Sequence, residues 1–494
     1  MTKRIAFLLL LSLLPGLYLQ GQTLSGYVRD MDTKEAIPYA TVQIGASYGT
    51  IANEEGGFSL SLTGIPRDSV LVSSLGYAQK RIPYPDSGLE VVIYLEPSAI
   101  ALDEVLLRDR QPTAEEIVRE VRKAYPVNYS STNQKYQVFY RGTSYMHFDD
   151  LKVEIEKATG IPREQIGRAS KKLDSLARAV MESRLIEFRD YSGTVLMRER
   201  DSSKISIARA TKLLDSRKDF SMDGVQKQAQ GIILQYLDTS MTYKLKTGLF
   251  KIEDSLAFDR KVFMRDEKKN EFSKGEIRSS VLRTIKLSQW HELSFLEKLL
   301  DGDDYRYALK GASYFQGTPI YVVSFSPRKA SSKYAGTLFV SARDFAVLKA
   351  DYAYGEGKRG KKFNMKLLLG IKYIENKNRG TVIYKASENG VYQPYYITRE
   401  EGNYIYLHRP LKFIENSSKR DKVLFDFSLE GEGREKQELL ILSTQQLNPA
   451  EFQSLVEAEK VPYTQLKQFE PSIWQDQQII QPLEEMKNFR VTEN

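Results

Sequence analysis

Cysteine is absent from all 494 residues. That one absence removes disulfides, thiolate zinc sites, iron–sulfur clusters and cysteine nucleophiles together. Histidine is almost as scarce, with only His147, His291 and His408. His291-Glu292 lacks the second histidine of an H-E-x-x-H helix, and no other zinc-ligand spacing accompanies it. Asp301, Asp303 and Asp304 echo a calcium loop without its remaining ligands or terminal Glu, so they read as turn residues. No metal, cofactor or catalytic constellation is therefore expected, and the chain reads as a non-enzyme. Apolar runs of spanning length are missing too. Nothing beyond the N-terminus approaches the roughly 20 residues of a transmembrane helix, so none is expected in the mature chain.

What is present begins with Lys3 and Arg4 followed by the apolar run Ile5 to Leu14. A short positive segment ahead of an apolar stretch too short to span a bilayer predicts a secretory signal peptide over residues 1–22. An exported chain held by packing alone fits a bacterial envelope, in the periplasm or at the outer membrane, better than a disulfide-forming secretory pathway. The formal charge is +8, and removing Lys3 and Arg4 leaves +6. Spread over so long a chain this gives no case for nucleic acid. The 30 tyrosines against 2 tryptophans suit exposed sheet faces, where one side chain offers an apolar ring and a wet hydroxyl.

From Thr23 the chain alternates in short runs. TLSGYVRD, YATVQI and GFSLSL are separated by the turn-rich MDTKEAIP and NEE, with further strands at Ser69–Ser73 and Leu89–Leu95. Short strands at this spacing predict a β-sandwich over 23–97. Its expected core is Val42, Ile44, Phe58, Leu60, Val70, Val72, Val92 and Tyr94. The runs GYVRD, IPYATVQI, GTIANEEGGFSL and SSLGY resemble the carboxypeptidase-regulatory-like domain, and the similarity covers residues 23 to about 107. That resemblance implies a transthyretin- or immunoglobulin-like sandwich of the kind that opens exported Bacteroidetes-type proteins. It also precedes the plug of TonB-dependent receptors, where a segment like Ala101-Leu102-Asp103-Glu104-Val105 follows the domain. The whole chain is similar to Bacteroidetes proteins of that group.

Residues 98–130 read as a linker and a helix, capped by Thr113 and stopped at Pro126. Residues 131–300 read as a mixed α+β region. A helical insertion near 150–189, two helices broken at Gly160-Ile161-Pro162, interrupts it, and a short helix over Trp290–Leu300 closes it. Residues 301–494 read as an antiparallel meander with C-terminal helices near 449–459 and 482–487. The fold class expected is thus mainly β with α insertions: a sandwich followed by a large curved antiparallel sheet whose concave face needs a cover or a ligand. In pattern this meander resembles the half-barrels of periplasmic lipoprotein carriers.

Two features of the meander are candidates for binding. Gly355-Glu-Gly-Lys-Arg-Gly360 spells G-x-G-x-x-G, but a period-two stretch follows it where a nucleotide site needs a helix. Between Gly355 and Gly380 lie eight basic residues against Glu356 and Glu375. Lys358, Arg359, Lys361 and Lys362 are the candidate contacts to an anionic partner such as lipopolysaccharide phosphate. Phe363, Met365, Leu367, Leu369 and Ile371, with Tyr373, fall on one face of what reads as a single long strand. That face is expected to be buried, under helices or against an apolar ligand. The functional expectation is a non-enzymatic envelope protein whose sandwich is an interaction module. Its curved sheet would bind a ligand or partner: envelope protein, lipid or lipopolysaccharide. An outer-membrane β-barrel or TonB-receptor-related component, and an envelope-polymer hydrolase, are the alternatives. If Ile5–Leu14 is the core of a signal, N-terminal sequencing of envelope-purified protein should read from Gln22 or Thr23. An intact Met1 would overturn the export expectation.

Overall fold

A computed structural model describes residues 23–491 apart from 46–47, 63, 66, 85–89, 99–110, 130–132, 184, 200–201, 215–230, 233–239, 249, 258–269, 316–317 and 475–476. The expected leader and the Ala101–Val105 segment lie outside the described residues. The chain forms two compact units. The first runs to Pro97 and includes Glu470–Leu483; the second runs from Ser98 to Phe469 and includes the residues from Glu484.

The first unit contains β1 (Thr23–Asp30), β2 (Thr41–Ile44), β3 (Tyr48–Ile51), β4 (Gly57–Ser61), β5 (Val70–Ser73), β6 (Lys80–Ile82) and β7 (Glu90–Leu95). They form two sheets, ordered β4-β1-β7 and β3-β2-β5-β6. Every second residue of β1 is buried, the half-buried period its sequence implied. Leu24, Val28, Val42, Ile44, Phe58, Leu60, Val70 and Val72 make one core between the sheets. At β7 the expected register is off by one. Val92 is 48% exposed, while Ile93 and Leu95 are buried. EVVIYL is apolar on both faces, so alternation cannot choose. Parallel pairing with β1 does, by setting Ile93 beside the core residue Val28.

The turn before β4 shows a role that local pattern did not reveal. Asn53 Oδ1 accepts the amides of Glu55 and Gly57 at 2.9 and 2.8 Å, and Gly56 between them sits at φ +74. A Cβ on Gly56 would lie 2.5 Å from the Val28 carbonyl oxygen, so glycine is required there. Asn53 Nδ2 donates to the carbonyls of Gln481 and Pro482 at 3.1 and 3.2 Å, tying the far end of the chain to this turn.

The second unit opens with α1 (Ala114–Asn128), β8 (Gln134–Ala158), α2 (Arg163–Glu182), β9 (Leu185–Arg198), β10 (Ser202–Leu213), β11 (Thr242–Thr247), β12 (Phe250–Ala257) and β13 (Glu271–Ser273). Helices α3 (Lys274–Lys286) and α4 (Phe295–Lys298) precede β14 (Tyr305–Phe315), β15 (Thr318–Pro327), β16 (Tyr334–Ser341) and β17 (Val347–Tyr354). Then come β18 (Lys362–Met365), α5 (Lys366–Leu369), β19 (Ile371–Ala386), β20 (Tyr392–Glu415) and β21 (Lys422–Gln446). The last elements are α6 (Pro449–Ser454), β22 (Lys460–Pro462), β23 (Thr464–Leu466) and α7 (Glu484–Lys487). One sheet runs in the order β14-β15-β16-β17-β19-β20-β21-β8-β9-β10-β23.

Three expectations are corrected here. Residues 131–300 and 301–494 are not separate, because β21 pairs with β8 from Val423↔Ala158 to Gln446↔Gln134. Pairing between strands so distant in sequence leaves no local signature. The stretch 150–158 is strand rather than helix. Leu151, Val153 and Ile155 pair with Leu429, Phe427 and Phe425, and the intervening charges mark a wet strand face that composition alone mistakes for helix. A single helix, α2, begins only after Gly160 and Pro162. In α1, Thr113 and Glu116 form a reciprocal capping box, but the helix runs through Pro126 to Asn128 instead of stopping there.

Strands from both ends of the sheet meet in a single core. Tyr305 and Phe325 from one end share it with Val195 and Ile205 from the other, so the sheet curls around what lies between. That filling is Ile117, Val118 and Val121 of α1, Ile277, Val281 and Ile285 of α3, and Trp290, Leu296, Leu299 and Leu300. The cover expected from helices near 449–459 and 482–487 comes instead from these earlier segments; Phe452 of α6 belongs to a small separate cluster with Leu196 and Leu447. Only Phe295–Lys298 of the expected Trp290–Leu300 helix is helical. Among the described residues no helix is long and apolar enough to cross a membrane. Phe58 is wholly buried in the first unit, and Phe58→Ala should destabilise it by about 3–5 kcal/mol. Denaturant unfolding that matched the parent would show that Phe58 does not carry this core.

Candidate functional site

The basic, apolar stretch of the meander is a hairpin at the sheet edge. After Tyr354 the chain turns at Gly355, where the Lys358 amide donates to the Gly355 carbonyl at 2.9 Å. It then runs as strand β18 and not as the helix a dinucleotide site requires. The expected single strand Phe363–Tyr373 is broken. Lys366–Leu369 forms one helical turn, closed by Gly370 at φ +62. A Cβ on Gly370 would lie 2.1 Å from the His408 carbonyl oxygen, so only glycine can make this reversal.

The break redistributes the apolar residues. Phe363 pairs with Tyr373 and Met365 with Ile371, and Tyr373 and Ile371 in turn oppose Ile405 and Leu407. These side chains share one sheet face, as alternation implied. Leu367 and Leu369 do not join them, since they sit in the turn. Nor is the face buried. Phe363 is 46% and Ile405 37% exposed, and in the turn Leu368 is 74% and Leu367 105% exposed. Helices therefore do not cover this face, and its residues do not lie on one strand, because alternation continued across a turn mimics one.

The basic residues divide into two groups. Lys377 and Arg434 lie 2.8 and 3.3 Å from Glu400 Oε1, and Arg379 Nε bonds the other oxygen. Burial pushes the Glu400 carboxyl up, but the bonds from Lys377 and Arg379 outweigh it and hold the group below the usual glutamate value. Glu401, on the opposite strand face, is shifted upward by burial. Lys358 Nζ is held by the carbonyls of Ala330 and Lys329 at 3.0 and 3.2 Å. Arg359, Lys361 and Lys362, at the end of the hairpin away from its turn, and Lys366, in the turn itself, are exposed. Lys366 Nζ lies 3.7 Å from the centre of the Tyr406 ring, and Lys372 Nζ 4.7 Å from that of Tyr404. Of the candidate contacts, then, Lys358 is structural and the other three face solvent.

Other chemistry-bearing residues are occupied structurally. His408 Nε2 lies 3.1 Å from both oxygens of Asp426 on an exposed strand face. Asp301 Oδ1 accepts the Asp303 amide at 2.8 Å, a turn-forming bond. No group of three or more His, Cys, Asp or Glu among the described residues could hold a metal ion. The sequence reading missed the buried ion pair Arg141–Asp190. Cross-strand neighbours, they are 2% and 1% exposed and joined by two bonds of 2.8 and 2.6 Å.

Beneath the curled sheet, a cavity of about 30 Å³ is bounded by Tyr129, Tyr136, Trp290, Tyr384 and Tyr392 among others. That is room for one or two water molecules. Burial pushes the Tyr129 and Tyr384 hydroxyls well above the ordinary phenol range. They donate to the Val347 and Ser288 carbonyls at 2.9 and 2.5 Å, serving as hydrogen-bonding groups.

Residues 24–107 match the model of the CarboxypepD_reg-like domain. The N-terminal sandwich is therefore a carboxypeptidase-regulatory-like domain. No curated protein matches the chain. Among solved structures, a LolA superfamily protein from Nitrosomonas europaea is 10% identical, over 65% of this chain and 94% of that one, at a TM-score of 0.18. A DUF1329 family protein from Desulfovibrio piger is 9% identical over 64% and 89%, at 0.17. Scores of this size carry no argument about fold or function.

Because Leu367 and Leu368 support no core, Leu367→Asp and Leu368→Asp should each leave unfolding free energy within about 0.5 kcal/mol of the parent. A loss of several kcal/mol in calorimetry or denaturant titration would restore the buried-face reading.

Proposed function

We propose that this chain is a non-enzymatic protein of the bacterial envelope, exported to the periplasm or the outer membrane. Its carboxypeptidase-regulatory-like domain serves as an interaction module, and its curved-sheet unit binds on the exterior. The observation that carries this reading is the packed hollow. A small-molecule or acyl-chain site is an enclosed space of some hundreds of cubic ångströms, whereas the hollow between Tyr129 and Trp290 holds about 30 Å³ and the larger ones, about 850 Å³ along the exposed side of α3 and about 610 Å³ at Tyr145, Lys377 and Arg434, lie open to solvent. What remains for recognition is outer surface, and the exposed hairpin β18–α5–β19 offers both apolar and cationic groups there.

The two other readings draw less support. A barrel would keep a lumen, and here helices α1 and α3 occupy the space inside the curl; the described strand order runs from β14 to β23 as an open path. For a hydrolase, the phenols raised by burial donate to backbone carbonyls, Glu400 is locked among three cations, and Glu401, raised by burial, is paired with Arg399, so none stands free for proton transfer.

Alkaline carbonate extraction of the envelope fraction, followed by native mass spectrometry, tests the proposal. A peripheral protein leaves the membrane in carbonate and shows the mass of the bare polypeptide. Retention in the pellet with heat-modifiable mobility would favour the barrel, and a retained acyl lipid would favour an internal site.

A further inference from the structure

Deepening the surface-binding reading above, and resting on it, we propose that the tip of the β18–α5–β19 hairpin docks on an anionic bilayer. Leu367 and Leu368 enter the headgroup layer with Lys366 against the lipid phosphates, and Arg359, Lys361 and Lys362, farther along the hairpin, add to the attraction.

Three observations point to a lipid surface. The first is exposure. Leu367 at 105% and Leu368 at 74% are the chain's outlying pair of adjacent large apolar side chains among the described residues, and they sit at a turn, not in a groove. A groove would suit a peptide, and a broad flat patch a protein; a specific protein interface needs roughly 800 Å² from each partner. A two-leucine prow presents far less, yet is shaped for the shallow insertion that interfacial elements make.

The second observation is charge of one sign. Between Glu356 and Glu375 the chain carries Lys358, Arg359, Lys361, Lys362, Lys366 and Lys372 and no acidic residue. Glu375, which closes the run, is turned back onto the Lys361 amide at 2.7 Å. Acidic residues on the neighbouring strands are also engaged: Glu430 bonds Tyr404, and Asp426 bonds His408. Among the described residues, Arg359, Lys361, Lys362 and Lys366 are drawn into no ion pair that would satisfy them. The phosphates of an anionic leaflet would, at about fivefold in affinity for each lysine or arginine brought near the surface.

The third is the order of the groups. The apolar tip is followed by the half-exposed Phe363 and Ile405 on one face, with Lys362 and Lys372 on the other. Leucines ahead of lysines along one axis is the arrangement an interfacial anchor needs, since the lysine stems can lie along the apolar boundary while their ammonium groups stay wet.

Vesicle flotation with the full mature chain tests this, using phosphatidylcholine vesicles with and without phosphatidylglycerol. The expected result is binding to the phosphatidylglycerol vesicles, weakened by added salt. Leu367→Asp/Leu368→Asp and Lys361→Glu/Lys362→Glu should each lower that binding by about tenfold or more, with thermal unfolding unchanged. Absence of binding, or equal binding by the parent and both double variants, overturns the proposal. A dimer in light scattering that Leu367→Asp/Leu368→Asp dissociates, without vesicle binding, overturns it in favour of a second copy as occupant. If flotation fails while carbonate still releases the chain from the envelope, the lipid occupant alone is lost. A cytosolic location would instead remove the envelope reading, whatever the vesicles show.

Discussion

The need to bury the concave face of a long curled sheet governs the second unit. Among the described residues this sheet has fourteen strands, eleven on its main path, and presents more apolar surface on its inner side than water tolerates. The chain resolves this internally by threading α1 and α3 under the curl and stacking Trp290 on Tyr129, ring centres 5.1 Å apart. With α1 and α3 in place, the hollow left between Tyr129 and Trp290 is about 30 Å³, and the larger hollows, along the exposed side of α3 and at Tyr145 and Arg434, open to solvent. A change of one side chain in this filling, such as Ile117 or Val281, would therefore act on the whole curl and not on one strand.

Local periodicity made the sandwich legible where only one face of a strand is apolar. The alternation in GFSLS assigned Phe58 and Leu60 to the core correctly. It could not orient EVVIYL, where both faces are apolar and the partner strand decides. In the second unit three kinds of information were out of reach. Pairing of β8 with β21 is set between segments far apart in sequence. The turn at Lys366–Leu369 hides inside an unbroken alternation, with Gly370 as its single local signal. The Arg141–Asp190 pair reads in sequence as two ordinary surface charges, and only the register of β8 against β9 brings them together. The basic run of the hairpin was legible as composition, but its division into structural and solvent-facing members was not.

That division shows how one stretch can serve two ends. Near the body of the sheet, Lys377 and Arg379 neutralise Glu400, a carboxylate too enclosed to stay charged alone. A few residues nearer the tip, similar side chains face solvent, and the strand they decorate is an edge. Lysines on an exposed edge strand also discourage pairing with a second sheet, so the same charges that are available for recognition keep β18 from acting as a template for aggregation.

The pairing of β8 with β21 carries a consequence for how the molecule is assembled. β8 occupies a central place in the sheet, yet one of its neighbours, β21, is synthesised only near the end of the chain. Until β21 emerges, β8 and β9 can pair over Gln134–Met146, leaving one side of β8 open there and both sides open from His147 to Ala158. Closing so large a loop is slow because its entropy must be paid before the contacts form. The unit therefore completes its sheet late, after synthesis of nearly the whole polypeptide, and passes through a state in which its longest edge must be kept from other chains.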